Sequence, residues 1–588
     1  MKLSDYVIDC IKQQGVSHVF EFIGGAIVHL LDSISHRDDI ECISVRHEQA
    51  GAFAAEAYAR MNGKLGVAMA TSGPGALNLL TGIGSCYFDS VPCLFITGQV
   101  NTYEYKFDRP VRQIGFQETD IVSVATPITK YAVMVTDPDQ IRYELEKAIY
   151  LAKNGRPGPV LLDIPMNLQR AQINPESLVS FYDSQEYMEL CENCEVSDSV
   201  IVDIISMLKK AKRPLILAGG GVRASDSTEF LSQFVEKTGI PIVSSLMGLD
   251  AISHDNPLYS GLIGSYGNRF SNLILANCDL LLILGSRLDS RQTGTRPDTF
   301  GRGAQKIHVD IDSNELNSKV EATLVVRASL KDFLVKINDA LNDYEKPDIN
   351  QWLELINRLK GCYPTYSFKP EGNEIEPNRF MELLSSKAER FGAICLDVGQ
   401  HQMWASQSFV LSGKQRLLNS GGMGAMGFAL PAAIGASLAS GEESLVIAGD
   451  GGIQLNIQEF DTLVRLNLPI KTLVMNNSSL GMVRQFQDLY FEGRQQSTVN
   501  PNPSFISIAK AYKIPTFQMN SMEDVQQLDE FLATEGPAFI EIRLEKKTEV
   551  HPKLVVNRPI EDMYPYLDRE ELKEIMLIDL VDEIDIPT

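Results

Sequence analysis

Short apolar runs that end in Gly, Pro, Ser, Asp or Asn, each followed by a stretch of helical periodicity, recur through this chain in three successive blocks. That recurrence restricts the fold more than any other feature, because parallel strands covered on both faces by crossover helices read as continuous apolar segments. The first block, residues 1–170, contains IECISV, KLGVAMA, VPCLFITG and GPVLLDIP. The second, 197–343, contains RPLILAGGG, DLLLILGS and QKIHVDID, and the third, 374–550, contains AICLDVG, SLVIAGDGG, IKTLVMNN and PAFIEIRL. The pattern predicts an α/β protein of three doubly wound parallel-sheet domains. A chain of 588 residues exceeds what a single core accommodates, which agrees with that division. The polar, acidic stretch 171–196 loses the pattern and reads as a linker, and 345–373 reads as a second polar join. Residues 551–588 read as a tail with an acidic helix over REELKEIMLIDLVDEI.

With 53 Lys plus Arg against 76 Asp plus Glu, the net charge of −23 argues against nucleic acid or an anionic membrane as partner. The amino-terminal MKLSDYVIDCIKQQG lacks the apolar core of a signal peptide and no window reads as a membrane span, so a cytoplasmic protein is expected. Nine scattered cysteines suit a reducing compartment, and the one Cys-x-x-Cys, Cys191 and Cys194, lies in an acidic stretch with no second pair to complete a zinc site.

The sharpest local signal is Gly449-Asp450-Gly451 at the end of SLVIA, followed by Asn476-Asn477 at the end of IKTLVM. Both fall at carboxyl ends of neighbouring strands, where α/β sheets place ligands. One carboxylate and one amide oxygen suit a hard divalent cation but carry too little charge to hold it without phosphate oxygens. The glycines let the backbone turn and approach a diphosphate. Upstream, Gly422 to Gly427 satisfies G-x-G-x-x-G and admits a nicotinamide reading, with Asp450 as ribose acid, or a purely structural one of close helix–strand packing. In the first block Glu48 stands where a strand runs into a helix of small residues, and taken alone it reads as a first-turn charge favouring the helix dipole.

The order of these signals resembles the thiamine diphosphate enzymes of the acetolactate synthase catalytic-subunit type over nearly the whole chain. The residues carrying the resemblance are Arg46-His47-Glu48-Gln49, Thr71 to Asn78, Thr97-Gly98-Gln99-Val100, Gly155 to Val160, Val398 to Ala405, Gly424-Ala425-Met426-Gly427, the Asp450 turn, and Asn476-Asn477 with Gly481-Met482-Val483. The resemblance implies a pyrimidine-binding first domain, a central flavin-type domain and a diphosphate-binding third domain. It makes Glu48 the acid that hydrogen-bonds the aminopyrimidine and Gln117 an amide facing the reacting carbons. Cofactor contacts are implied for Pro74, Asn78, Val398, Gly399, Gln400, His401, Gly424, Met426, Gly449, Gly451, Gly481, Met482 and Val483. Asp450, Asn477 and the Ser479 carbonyl become magnesium ligands. On residues alone, Met426 would be an ordinary core methionine and Gln117 a solvated loop residue.

The middle block resembles the flavin-binding members through Gly219-Gly220-Gly221, Gly285 to Arg291 and His308 to Asp312, so Gly219, Gly220, Arg287, Asp289, Arg291, Asp310 and Ile311, with Arg156, are candidate FAD contacts. The implied reaction decarboxylates pyruvate and transfers the two-carbon unit to a second carbonyl compound. Small 2-keto acids are the implied substrates and a homodimer or homotetramer the assembly; a regulatory subunit is left open. Two positions depart from the family: Phe486 stands where acetolactate synthases carry Trp, and Met166 where they carry Lys, which leaves the acceptor open. Acetyl transfer to a nucleotide-linked keto-sugar, with Arg109 or Arg112 meeting a diphosphate, is one alternative; those arginines are otherwise solvated. A flavin-coupled pyruvate oxidase is another. The simple decarboxylases of the superfamily carry an adjacent His-His pair, and none of the eight histidines here neighbours another.

Overall fold

The computed structural model describes residues 1–190, 195–342, 344–366, 374–499 and 501–581. The first domain is built on β1 (His18–Phe22), β2 (Glu41–Ser44), β3 (Gly66–Ala70), β4 (Cys93–Gln99), β5 (Tyr131–Met134) and β6 (Val160–Pro165). The middle domain follows with β7 (Pro214–Ala218), β8 (Ile242–Ser244), β9 (Tyr259–Leu262), β10 (Leu280–Leu284), β11 (Gln305–Asp310) and β12 (Leu324–Arg327). The third has β13 (Ala393–Leu396), β14 (Arg416–Leu418), β15 (Ser444–Gly449), β16 (Ile470–Asn476), β17 (Thr516–Met519) and β18 (Ala538–Arg543). Each set closes one six-stranded sheet, and every pairing within the three sheets is parallel. The expected three-domain α/β architecture is therefore the observed one.

Strand order separates the domains into two kinds. The first sheet runs β2-β1-β3-β4-β6-β5 and the third β14-β13-β15-β16-β18-β17, the same order when each is numbered from its own first strand. The middle sheet runs β12-β11-β10-β7-β8-β9, so its order reverses between β7 and β10 and leaves a crevice at their carboxyl ends. The apolar runs picked out in the sequence became β2, β3, β4, β6, β7, β10, β11, β13, β15, β16 and β18. The strands they missed include the edge strands β5, β9, β12, β14 and β17. An edge strand has one covered flank and needs fewer apolar residues; β5 is only half-buried along its length.

The first and third domains pack through the helices Glu48–Asn62 and Ala429–Ser440. Their alanine-rich faces let the backbones touch: a Cβ on Gly435 would lie 1.9 Å from the Ala54 carbonyl oxygen. Phe53 and Phe428 meet edge to face at 5.3 Å across the same seam. The two domains thus share one apolar core cluster.

Three stretches differ from the expectation. The 171–196 stretch is no patternless linker up to residue 190: Phe181 is buried against Tyr143, Tyr150 and Tyr187, and Glu186 accepts a hydrogen bond from Tyr143 at 2.6 Å and pairs with Lys147 at 2.9 Å. Aromatic residues with short spacing hold it to the helix Ile141–Lys153, a signal without helical or strand period. The supposed polar join contains the helix Asn350–Cys362, whose Trp352 is buried and donates to the Pro214 carbonyl at 3.0 Å. The tail helix covers only Arg569–Ile575, because Leu577 leaves it to donate its amide to Asn277 at 2.6 Å and Leu572 and Ile575 bury into the middle domain. Before it, β19 (Lys553–Leu554) and β20 (Met563–Tyr564) form an antiparallel pair. The Cys191 and Cys194 pair and the last residues of the acidic segment lie outside the described residues. Among the described residues no helix is long and apolar enough to cross a membrane.

Candidate active site

Two half-sites form at carboxyl ends of strands, one in the first domain and one in the third. In the first, β2 ends and the helix Glu48–Asn62 begins, with the His47 side chain accepting from the Gln49 amide at 3.2 Å as its cap. This places Glu48 in the first turn, where it is 7% exposed. One carboxylate oxygen accepts from Asn78 at 2.9 Å, and the other would lie 3.1 Å from a Cβ on Gly75. The short helix Pro74–Asn78 after β3 therefore brings Pro74 and Asn78 beside Glu48. Gln117 folds over the same turn in a left-handed conformation, φ 64°, and a Cβ on Gly73 would come within 2.9 Å of its carbonyl oxygen. Only glycine fits at 73, which also has positive φ. The loop that carries Gln117 is ordered by buried Glu118, which accepts from the amides of Lys106, Ile114 and Gly115 at 2.8, 2.7 and 3.1 Å.

The second half-site gathers four loops of the third domain. Asp450 opens the turn after β15 and accepts from the Ser479 amide at 3.1 Å and from Asn502 at 2.6 Å, both through Oδ2. Burial raises its carboxyl above the usual range. Asn477, after β16, donates its amide hydrogens to Gln400 at 2.9 Å and to Thr548 at 3.1 Å, which turns its oxygen the other way. Gly451 lies against Met426: a Cβ there would come 3.2 Å from the methionine Cε and 2.4 Å from Leu480. His401 packs on Gly399 and Gly449, where a Cβ would fall 2.9 and 2.8 Å from its Nδ1. Burial pulls the His401 imidazole down to about 3, so it is neutral, and its Nε2 is buried without a partner. Buried Asp397, at the end of β13, binds the loop together by accepting from the amides of Val398, Gly427 and Ala429 at 2.8, 2.9 and 3.2 Å, and burial pushes it up to about 6. The helix Gly481–Tyr490 starts beside this turn and carries Met482, Val483 and Phe486; the Phe486 and Tyr490 rings meet tilted, with centroids 4.5 Å apart.

The donor set fits a diphosphate with one hard cation. Glycines keep Cβ atoms out of the cradle, and an amide oxygen and a carboxylate oxygen remain for a metal. Among the described residues no group of three or more His, Cys, Asp or Glu is placed to hold a metal ion. Asp397, Asn502 and Thr548 were not picked out in the sequence. Asp397 had a signal, its place at a strand end, whereas Asn502 and Thr548 lie in loops whose approach only the fold creates.

The residues of the middle domain meet at the crevice between β7 and β10. A cavity of about 540 Å³ there is lined by Gly220, Arg287, Asp289, Arg291, Asp310 and Ile311, together with Arg156 of the first domain and Arg416 of the third. Gly219 keeps its strand end tight, since a Cβ on it would meet the Gly285 oxygen at 2.2 Å. Arg156 does more than line the cavity: it pairs with Asp312 at 3.1 Å and Glu315 at 2.7 Å, tying the first domain to the middle one. Arg287 likewise donates to the Phe88 carbonyl at 3.0 Å.

Such a fold, two like domains with a buried acid at one strand end and a glycine-flanked carboxylate at another, defines an α/β protein with ligand sites at its strand ends. Family models agree throughout: residues 1–124 match the thiamine pyrophosphate enzyme N-terminal TPP binding domain, 201–337 the central domain and 397–542 the C-terminal TPP binding domain. The chain belongs to the thiamine pyrophosphate enzymes. It is 35% identical over 578 residues, 97% of each chain, to the acetolactate synthase large subunit of Lactococcus lactis. It is 34% identical over 555 residues, 94% of this chain and 97% of the other, to the acetolactate synthase isozyme 2 large subunit of Escherichia coli. The chloroplastic acetolactate synthase of Arabidopsis thaliana is 36% identical over 569 residues, 94% of this chain and 83% of its own.

Proposed function

We propose that this chain is the catalytic subunit of an acetolactate synthase-type carboligase, which releases carbon dioxide from pyruvate and joins the remaining two-carbon unit to a second carbonyl compound. The observation that carries the reading is the pairing of a buried acid, Glu48, with a separate strand-end turn at Asp450 and Asn477, on the background of relatives that are acetolactate synthases. When bound, thiamine diphosphate supplies a carbon acid whose conjugate base attacks a ketone and a ring that accepts the electron pair left by carbon dioxide. Glu48 holds the proton at the pyrimidine ring nitrogen, steadied by Asn78. Asp450, Asn477 and the Ser479 carbonyl would hold Mg2+ beside the diphosphate, and the glycines at 399, 449 and 451 would let it approach the backbone. Met426, beside Gly451, bears on the cofactor from its apolar side, and Gln117 orients the reacting carbonyl.

FAD, in a structural role, is the occupant we assign to the middle crevice. Glycine turns admit its diphosphate and Arg287 and Arg291 neutralise it. A site complete only between two copies of the chain agrees with the apolar residues exposed around each half. Ile23 and Phe116, in the first domain, are 65% and 86% exposed, and Val483 and Phe486, in the third, 51% and 45%. Phe486 on the helix Gly481–Tyr490 and Met166 after β6 leave the acceptor open. The test is incubation with pyruvate and a panel of 2-keto acids, aldehydes and nucleotide-linked keto-sugars, with products identified by mass. Formation of an acetyl adduct supports the reading; pyruvate-dependent oxygen uptake without an adduct replaces it with an oxidase.

A further inference from the structure

After β18 the chain crosses back over the third-domain half-site, and side chains of two helices, Gln400–Ser408 and Gly481–Tyr490, take hold of its backbone. Gln400 donates to the Thr548 carbonyl at 3.0 Å, Trp404 to the Glu549 carbonyl at 3.1 Å, and Gln485 to the Val550 carbonyl at 2.9 Å while accepting the Val550 amide at 3.0 Å. Arg484 also donates to the Thr548 carbonyl at 2.5 Å. These bonds have a fixed polarity, because a backbone carbonyl only accepts. The Thr548 carbonyl forces the Gln400 amide nitrogen toward it, so Gln400 presents its oxygen to Asn477. The Thr548 hydroxyl spends its proton on the Glu545 carbonyl at 2.9 Å and is left as an acceptor for the second Asn477 hydrogen at 3.1 Å. Both hydrogens of Asn477 are thereby committed to acceptors whose own orientation is dictated by carbonyls of residues 545 and 548. Its amide oxygen is held on the side of the group away from these two acceptors.

We infer that Thr548 is a positioning residue for the metal site: the returning segment 545–550 sets the orientation of the Asn477 amide and so presents its oxygen as a ligand. This rests on the magnesium role given to Asn477 under the proposed function. Outer partners of metal ligands act in this way, and their loss typically weakens metal binding about 10- to 100-fold. Thr548→Val keeps the shape of the side chain and removes the acceptor, freeing Asn477 to turn over. Thr548→Ser keeps the acceptor.

Mg2+ binding to the cofactor-stripped full-length protein, at saturating thiamine diphosphate, is measured by calorimetry for the wild type and both variants. Thr548→Val is expected to weaken Mg2+ binding about tenfold, with Thr548→Ser within about threefold of wild type. Equal Mg2+ affinity in wild type and Thr548→Val overturns the inference while leaving the proposed function standing. Absence of thiamine diphosphate-dependent Mg2+ binding in the wild type overturns the proposed function itself. Should Thr548→Val not fold, Thr548→Cys, a weak acceptor of similar size, carries the same comparison, and wild-type affinity there is again the overturning result.

Discussion

The first and third domains share one strand order, yet they present opposite chemistry at equivalent loops. After the third strand the first domain has the apolar-turned Pro74–Asn78 helix, and the third has the Asp450 turn. After the second strand the first domain places Glu48 and the third places Met426 ahead of the helix Ala429–Ser440. Loops at strand ends can be exchanged in this way because the sheet and its helices supply the stability, and the loop residues are free to serve a ligand. On the proposed function one copy of the architecture keeps the acid and the other the anion cradle, so proton chemistry and cofactor anchoring are expected to separate on mutation.

The largest effect expected from breaking this division is at Glu48. Glu48→Gln should lower carboligation about 10²- to 10⁴-fold, as for loss of a general acid–base group, with thiamine diphosphate affinity by calorimetry nearly unchanged. Asp450→Ala should do the reverse, lowering Mg2+-dependent cofactor affinity by at least about tenfold and restoring part of the activity at high Mg2+. Equal loss of cofactor affinity in both variants would end the comparison. At the seam between the two domains, Gly435→Ala forces a Cβ onto the Ala54 carbonyl and should cost about 3 kcal/mol in denaturant unfolding. A change under about 0.5 kcal/mol, the scale of an ordinary surface substitution, would mean the helices do not pack backbone to backbone.

The smallest expected effect lies between two buried carboxylates, Asp397 just after β13 and Asp163 within β6. Asp397 receives three backbone amides, whereas Asp163 accepts from Thr97 at 2.7 Å and Gln99 at 2.9 Å and is pushed by burial up to about 7. Because the folded value lies above that of the unfolded chain, about 4, the native state holds the proton longer. Stability from this group is therefore fully present below about pH 4 and is lost as pH rises through about 7. Asp163→Asn should remove that slope, so its stability relative to wild type rises between pH 5 and pH 8 in paired denaturation curves; a constant difference would refute the assignment.

Much of this arrangement was legible before folding. The Asp450 turn and Asn477 could be read because glycine, aspartate and asparagine at strand ends have few structural uses. Buried central strands could be read because they are apolar on both faces. Glu48 was legible only through its company, since a first-turn glutamate is common. Thr548 and Asn502 gave no signal, as neither a lone threonine nor a loop asparagine implies a partner far away in the chain.

The sequence alone determined the three α/β blocks, because local periodicity suffices for them, and it marked Glu48 and the Asp450 turn as candidates through their residue chemistry and order. Tertiary structure decided that two of the blocks share a topology and a core, that residues 171–190 are packed and not loose, and that the segment after β18 returns to hold the Asn477 amide. Those outcomes depend on which surfaces meet, and contacts between residues far apart in the chain leave no local pattern to read.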